Sequence, residues 1–455
     1  MNVQYKGKEN SKRRYDVDLN IENENEGMAL LNHETEFEIA NCFSKLKMND
    51  PAIISESLQK ILDLLENNSY FSIDASDVYQ ICNLAQSSTD DFINECSRKI
   101  IAHLMGYIEP LPNYLYSIGA LYMFYDDFND ETSILGLSLF ALNSSTNRNE
   151  LLGFGILEKL NEEILKNSLF LNFKLICKMT KSLLKYTIPD DYLKDFSVLL
   201  QNIINFQLCN EPIPIFFKTM KCAIKEGHFK EFITLKPFFN IFVNIFIEQK
   251  SPNPKKYFKS ALSFISSKAN QENIDFNSEI IPLWDCLISI IQTNIIYESS
   301  IQASELIILL ISKNVEYFTN HKYYKIIIDV YQNHLFEVKC LLVAASAAAF
   351  VNATVSQLQI LFNENNFCKL LIDYLPNISF SFKFFPLIIS GIIKIITYSD
   401  TSKEGMNIFN NLIATNNDFI SWYESIPNEL SSVKNETVIS SLITLKEIIK
   451  TKFTL

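Results

Sequence analysis

Residues 132–165 read TSILGLSLFALNSSTNRNELLGFGILEKLNEEIL. This spacing predicts a long apolar helix, a polar turn, a short helix closing at Gly153-Phe154-Gly155, and then another helix. Nothing in the stretch alternates polar and apolar residues as a half-buried strand would. An apolar helix of this kind must be covered by its neighbours. The same pattern extends in both directions: Leu58, Ile61, Leu62 and Leu65 form one helical stripe, and Val438, Leu442, Leu445 and Ile449 form another. Breaks fall at Asn49-Asp50-Pro51, Glu109-Pro110-Leu111-Pro112, Pro189-Asp190, Glu211-Pro212, Ser251-Pro252-Asn253-Pro254, Pro376-Asn377 and Pro427-Asn428. Between Glu34 and Leu455 they leave about ten helical units averaging roughly 42 residues, with no long linker, so one continuous array of helical repeats is expected.

Composition agrees. The 455 residues are 48% hydrophobic and 20% charged, which excludes a wholly disordered chain. Only 10 are glycine, too few to favour phosphate-cradling loops or a many-turned β architecture. A formal charge of −12 argues against a general nucleic-acid surface and suits basic partners. Nine scattered cysteines (Cys42, Cys82, Cys96, Cys177, Cys209, Cys222, Cys286, Cys340, Cys368) show no C-x-x-C spacing, so neither a disulfide framework nor a zinc site is expected, and a reducing compartment is. No secretory signal is visible. The apolar runs Phe385–Thr397 and Phe238–Ile247 are too short for membrane spans and read as buried helices.

Residues 1–14 carry Lys6, Lys8, Lys12, Arg13 and Arg14 against the single acid Glu9, whereas residues 15–40 carry eight acids and no Lys or Arg. With almost no large apolar residue before Met28, residues 1–33 are expected to be a disordered arm that orders on a partner, with the repeat body at 34–455.

Residues 132–165 resemble the join between two armadillo repeats. FEVKCLLVAASAAAFVNATVSQLQILFNENNFCKLLIDYLP, from Phe336 to Pro376, looks like a corresponding join in the later repeats of importin alpha, with a Gln-x-Gln pair at Gln357 and Gln359. MNDPAIISESLQKILDLLENNSYFSIDASDVYQICNLAQ, from Met48, resembles that family's first repeat, and the tail from Ile389, including Trp422-Tyr423, its last. In the arm, Lys12-Arg13-Arg14 followed by Tyr15-Asp16-Val17-Asp18-Leu19-Asn20-Ile21 resembles the first two parts of the family's importin-beta-binding segment. Met28-Ala29-Leu30-Leu31-Asn32-His33 stands where a second basic cluster would lie. The resemblance implies a right-handed α-solenoid of about ten armadillo-type repeats and an adaptor that joins a basic cargo peptide to an importin-beta-type carrier.

In that family the cargo groove is a ladder of Trp and Asn four residues apart. The amides clamp an extended peptide, and the indoles form slots for Lys and Arg stems. Here Trp284 is followed at i+4 by Ile288 and Trp422 by Ile426. The resemblance puts ladder positions on Arg98 and Ala102 in one join and on Ala345 and Ala349 in another. The inherited groove is expected to be erased or rebuilt.

Other features read structurally. His33, His103, His228, His321 and His334 have no metal-ligand spacing and are expected at the surface or as caps. Asp126, Asp127, Asp130 and Glu131 read as a solvated turn with helix N-caps, the alternative being attraction of a basic peptide or cation. Gly153-Phe154-Gly155 lacks a dinucleotide fingerprint and reads as a repeat turn. Ala344–Ala349 reads as tight helix packing, the alternative being a shallow floor for a peptide backbone. Tyr122, Phe124, Tyr125 and Phe128 read as inter-repeat core. Lys12-Arg13-Arg14 reads as a carrier anchor, a localisation signal or a solvated charge run.

The expectation is an importin-alpha-like adaptor of cytoplasm and nucleus, or else an armadillo scaffold with no transport role. Binding rather than catalysis is expected, with protein or peptide partners. No cofactor, metal, nucleic acid, membrane insertion or small-molecule substrate is expected.

Overall fold

A computed structural model describes residues 2–4, 33–48, 50–66, 72–106, 108, 110–126, 130–166, 170–209, 213–229, 231–246, 254–270, 283–293, 296–399, 410–411, 416–429, 433 and 435–453. Where the sequence suggests one run from Glu34 to Leu455, these residues group into two compact units, Met1–Phe229 and Lys230–Leu455. The chain leaves the last helix of the first unit through Gly227, whose φ of +102° suits glycine alone. No Pro/Gly-rich linker marks the division, so composition does not signal it.

The first unit holds α1 (His33–Lys45), α2 (Pro51–Glu66), α3 (Ala75–Ser87), α4 (Asp91–Met105), α5 (Leu111–Ser117), α6 (Tyr122–Asp126), α7 (Glu131–Asn143), α8 (Ser145–Gly153), α9 (Ile156–Leu165), α10 (Phe170–Leu183), α11 (Leu193–Cys209) and α12 (Pro214–Glu226). Helices α2, α4, α7, α10 and α12 stack side by side in one layer, each packed on the next. They begin at residues 51, 91, 131, 170 and 214, so the repeat is 39 to 44 residues long. Helices α9 and α11 pack on each other in a second layer. Each ladder helix buries its apolar stripe: Leu58, Ile61, Leu62 and Leu65 of α2 are all in the core.

The second unit holds α13 (Phe239–Phe246), α14 (Pro254–Ala269), α15 (Trp284–Thr293), α16 (Tyr297–Lys313), α17 (Val315–Asn320), α18 (Tyr323–Tyr331), α19 (Phe336–Asn352), α20 (Val355–Phe362), α21 (Asn365–Tyr374), α22 (Phe385–Ser399), α23 (Asn417–Glu429) and α24 (Glu436–Phe453). Its ladder is α14, α16, α19, α22 and α24, and its second layer runs α13, α15, α18, α21 and α23. Two turns of the pattern show a short helix, an outer helix and a ladder helix among the described residues: α17, α18 and α19, and then α20, α21 and α22. Among the described residues each unit has five ladder helices, in line with about ten repeats.

Local chemistry sets the helix starts. Asp90, Asp130, Ser144 and Asn314 each accept backbone N–H bonds as N-caps, and Thr354 forms a capping box with Gln357. Proline occupies the first position of α2, α12 and α14, where its missing N–H costs nothing. Gly155, at φ +78°, turns the chain between α8 and α9, as the Gly-Phe-Gly reading requires.

Of the expected arm, Asn2–Gln4 (β1) pairs antiparallel with Ser72–Asp74 (β2), Val3 opposite Ile73, and residues 5–32 lie outside the described residues. Main-chain hydrogen bonding makes this pairing, and a hydrophobic pattern does not register it. Lys12, Arg13 and Arg14 lie outside the described residues. Among the described residues no helix is long and apolar enough to cross a membrane.

Candidate protein-binding face

The positions that the importin-alpha resemblance assigns to a groove are inside the stack. Ala102, Ala345 and Ala349 have no solvent exposure. Each lies on a ladder helix clasped by the ladder helices before and after it, so no peptide reaches it. Arg98 is half-buried on α4 and pairs with Asp130 at 3.3 Å. Asp130 also caps α7, accepting from the Ser133 backbone N–H at 3.0 Å and its hydroxyl at 2.7 Å. Arg98 is therefore an inter-repeat tie. The acidic turn reads as expected at Asp130; Asp127 and Phe128 lie outside the described residues.

The alanine run explains why α19 is closed. Every residue from Cys340 to Phe350 is buried. A Cβ built on Gly391 of α22 would stand 2.9 Å from the Cα of Ala347, so small residues on both helices allow their backbones to approach. This is the tight-packing reading, and the peptide-floor alternative falls. Phe124 is buried as core, whereas Tyr122 is half-exposed, edge-on to Phe154.

His228 and His321 are exposed, and His103 is half-buried on α4. His334 is the exception, buried between α18 and α19. Burial lowers its pKa from the ordinary 6.5; a hydrogen bond with the Ile291 backbone works the other way, and Lys339 adds to the lowering. Cys42, Cys82, Cys96, Cys177, Cys286, Cys340 and Cys368 are buried, and Cys222 is half-buried. Among the described residues no group of His, Cys, Asp and Glu could hold a metal ion.

Arg148, which the sequence reading passes over, ties repeats together. It is 1% exposed on α8. Its guanidinium donates to the carbonyls of Leu183, Tyr186 and Thr187 at 3.2, 3.0 and 2.7 Å, closing the C-terminal end of α10. Burial lowers its pKa, and Glu226 opposes that shift.

What the ladder leaves open is one stripe per helix. On α10 the described residues from Phe173 to Leu183 are buried except Lys174, Lys178 and Lys181, spaced i, i+4, i+7. On α12 the residues outside the core include Lys218, Lys221, Cys222 and Lys225. The two helices are ladder neighbours, and Thr219 donates its hydroxyl to the Cys177 carbonyl at 2.9 Å. A lysine-only helical stripe is visible in the sequence; that two such stripes are adjacent is not. On α16 the corresponding stripe is Glu298, Ile301, Gln302, Glu305, Leu309 and Ser312.

No protein-family model and no curated protein matches the sequence. Solved structures do match its fold. An engineered protein aligns with a TM-score of 0.62 at 10% identity, over 91% of this chain and 99% of its own. A chain from work on a phosphorylation switch controlling the interaction between cadherin and beta-catenin aligns with a TM-score of 0.50 at 8% identity, over 90% of this chain and 94% of its own. That neighbour is an armadillo-repeat protein. At these identities the likeness concerns the fold alone: the chain has an all-α, armadillo-like helical repeat fold.

Proposed function

We propose that the chain is a non-catalytic protein-binding scaffold that holds an extended segment of a partner along the open faces of its ladder helices. The observation that carries this reading is the ladder itself. Ladder helices at a regular spacing each offer one solvent-facing stripe, which suits a peptide whose side chains repeat along its length.

A second, more specific reading is an importin-alpha-like adaptor that brings cargo to an importin-beta-type carrier, working in cytoplasm and nucleus. The observation favouring it is the arm, Lys12-Arg13-Arg14 followed by an acidic-apolar stretch. Burial of Ala102, Ala345 and Ala349 weighs against inheritance of that family's groove, and lysine on α10 and α12 has the wrong sign for a basic signal.

A pull-down from source-cell lysate separates the two, using the full chain and the Lys12→Ala/Arg13→Ala/Arg14→Ala variant. Recovery of an importin-beta-type carrier by the full chain alone establishes the adaptor. Equal recovery of other partners by both chains, with no carrier, leaves the scaffold. Recovery of nothing by either removes the protein-binding reading.

A further inference from the structure

Leu335 and Phe336, at the junction of α18 and α19, are 60% and 54% exposed. Among the described residues they are the one pair of consecutive large apolar side chains left this open. Two tyrosines complete an aromatic row beside them. Tyr331 ends α18 and Tyr374 ends α21, the corresponding place one repeat later, and α18, α19 and α21 all pack on one another. The repeats on either side end their outer helices in Thr293 and Glu429, so the row is confined to this corner. The ring of Tyr374 stands 5.4 Å from that of Tyr331 at 85° and 5.8 Å from that of Phe336 at 45°. Both tyrosines are half-buried, and their hydroxyls reach solvent with no hydrogen-bond partner among the described residues. Burial pushes the Tyr374 phenol up to about 12 and that of Tyr331 higher, so both are donors at neutral pH.

We infer that this row docks a proline-rich segment of a partner protein in the polyproline II conformation. Such a segment has no internal hydrogen bonds, so its carbonyls stand open to donors, and its prolines bring no N–H that would need an acceptor. The two tyrosine hydroxyls supply donors, and the three rings supply flat apolar surface for pyrrolidine rings. Size agrees as well. One turn of the segment advances about 9 Å over three residues, comparable to the reach of a row with steps of 5.4 and 5.8 Å. A helix suits the row less, because its carbonyls are already bonded within it. Charge is not what the row offers: Lys339 lies 5.5 Å over the Tyr331 ring, Glu337 accepts from the Tyr297 hydroxyl at 2.7 Å, and Asp373 accepts from the Asn416 amide at 2.6 Å. The ionic groups at its edges are thus already engaged. The row belongs to the ends of α18 and α21 and the start of α19 rather than to the open stripes of the ladder helices, so the inference stands apart from the reading of those stripes.

The test uses the full chain and fluorescein-labelled decaproline, read by fluorescence anisotropy. The expected results are saturable binding that changes little as salt rises, a loss of about tenfold in affinity for Phe336→Ala, and a loss of about fivefold for Tyr331→Phe/Tyr374→Phe. The tyrosine variant keeps every ring and removes only hydroxyls that have no partner among the described residues, so it reads the donors without disturbing the packing. Val355→Ala makes a similar truncation at a side chain 72% exposed at the start of α20, and it should bind as wild type does.

No binding of decaproline, or equal affinity for wild type and Phe336→Ala, overturns the site. An equal loss with Val355→Ala overturns it too, because adhesion to any exposed apolar residue would then explain the binding. Equal affinity for wild type and Tyr331→Phe/Tyr374→Phe overturns the polyproline assignment, which rests on the hydroxyls. Tighter binding of decalysine, of decaglutamate or of an amphipathic helix of leucine and lysine overturns the proline-rich partner. A wild-type dimer in sedimentation that Phe336→Ala converts to monomer assigns the patch to a second copy of the chain and overturns the partner assignment.

Discussion

Gly391 faces Ala347 at a distance that admits no methyl group. A Cβ on Gly391 would lie 2.9 Å from both Cα and Cβ of Ala347 and 3.3 Å from its carbonyl oxygen. Gly391→Ala therefore forces α19 and α22 apart and should cost about 1–3 kcal/mol. Gly153→Ala is the control, since a Cβ there meets nothing within 4 Å and alanine is the better helix former by up to about 1 kcal/mol. Chemical denaturation of the two variants checks the pair; equal stability would mean that α19 and α22 are not in close contact.

Arg148 holds three carbonyls at the end of α10. In Arg148→Leu those carbonyls lose their donor in a buried site, a cost of about 3–5 kcal/mol. Arg148→Lys keeps the charge but not the fork, and should recover part of the loss. The measurement is the denaturant midpoint, supported by hydrogen exchange at residues 180–188.

Asp130 caps α7 and pairs with Arg98, and two substitutions separate the roles. Asp130→Ala removes both and should cost about 1–2 kcal/mol; Asp130→Asn keeps a capping oxygen and loses only the charge, for about 1 kcal/mol or less. Similar thermal melts for the two variants would show that the cap contributes nothing.

His334 makes stability depend on pH. Its folded-state pKa lies below the ordinary 6.5, so the unfolded chain takes up a proton first as pH falls. The stability that this neutral imidazole contributes is present above about 6.5 and is lost as pH falls through 6.5 toward the folded-state value. Wild type should lose more stability than His334→Gln between about pH 7.5 and about pH 5.5. Parallel curves for the two proteins would remove His334 as the source.

Thiol reactivity should follow burial. Cys82 and Cys368 are pushed up to about 12 by burial, and the thiol of Cys177 higher still. Iodoacetamide on the native chain should modify half-buried Cys222 before the buried cysteines, leaving Cys82, Cys177 and Cys368 for denaturing conditions. Mass spectrometry of digests gives the order.

Much of the fold is legible because helical repeats are local. The apolar stripes of α2 and α24, the breaks at Pro51 and Pro254 and the turn at Gly155 each depend on residues within one or two helical turns. Such local signals repeated about every 42 residues suffice for an all-α repeat reading. That Ala102, Ala345 and Ala349 are covered was not legible, because a residue's position along a ladder helix does not reveal its exposure. Ala345 and Ala349 could line a cleft or a contact, and what decides is how closely α16 and α22 approach.

The sequence by itself determined that this protein is helical, where several of its helices begin, and how often the pattern repeats, because propensity, capping and amphipathic period act over a few residues. The tertiary structure alone decided which faces remain open. Gly391 against Ala347 closes one ladder helix, Arg148 reaches carbonyls 35 to 39 residues away, and the bond from Thr219 to Cys177 sets two lysine stripes side by side. These are relations between residues distant in the chain, set by the packing of one repeat on the next.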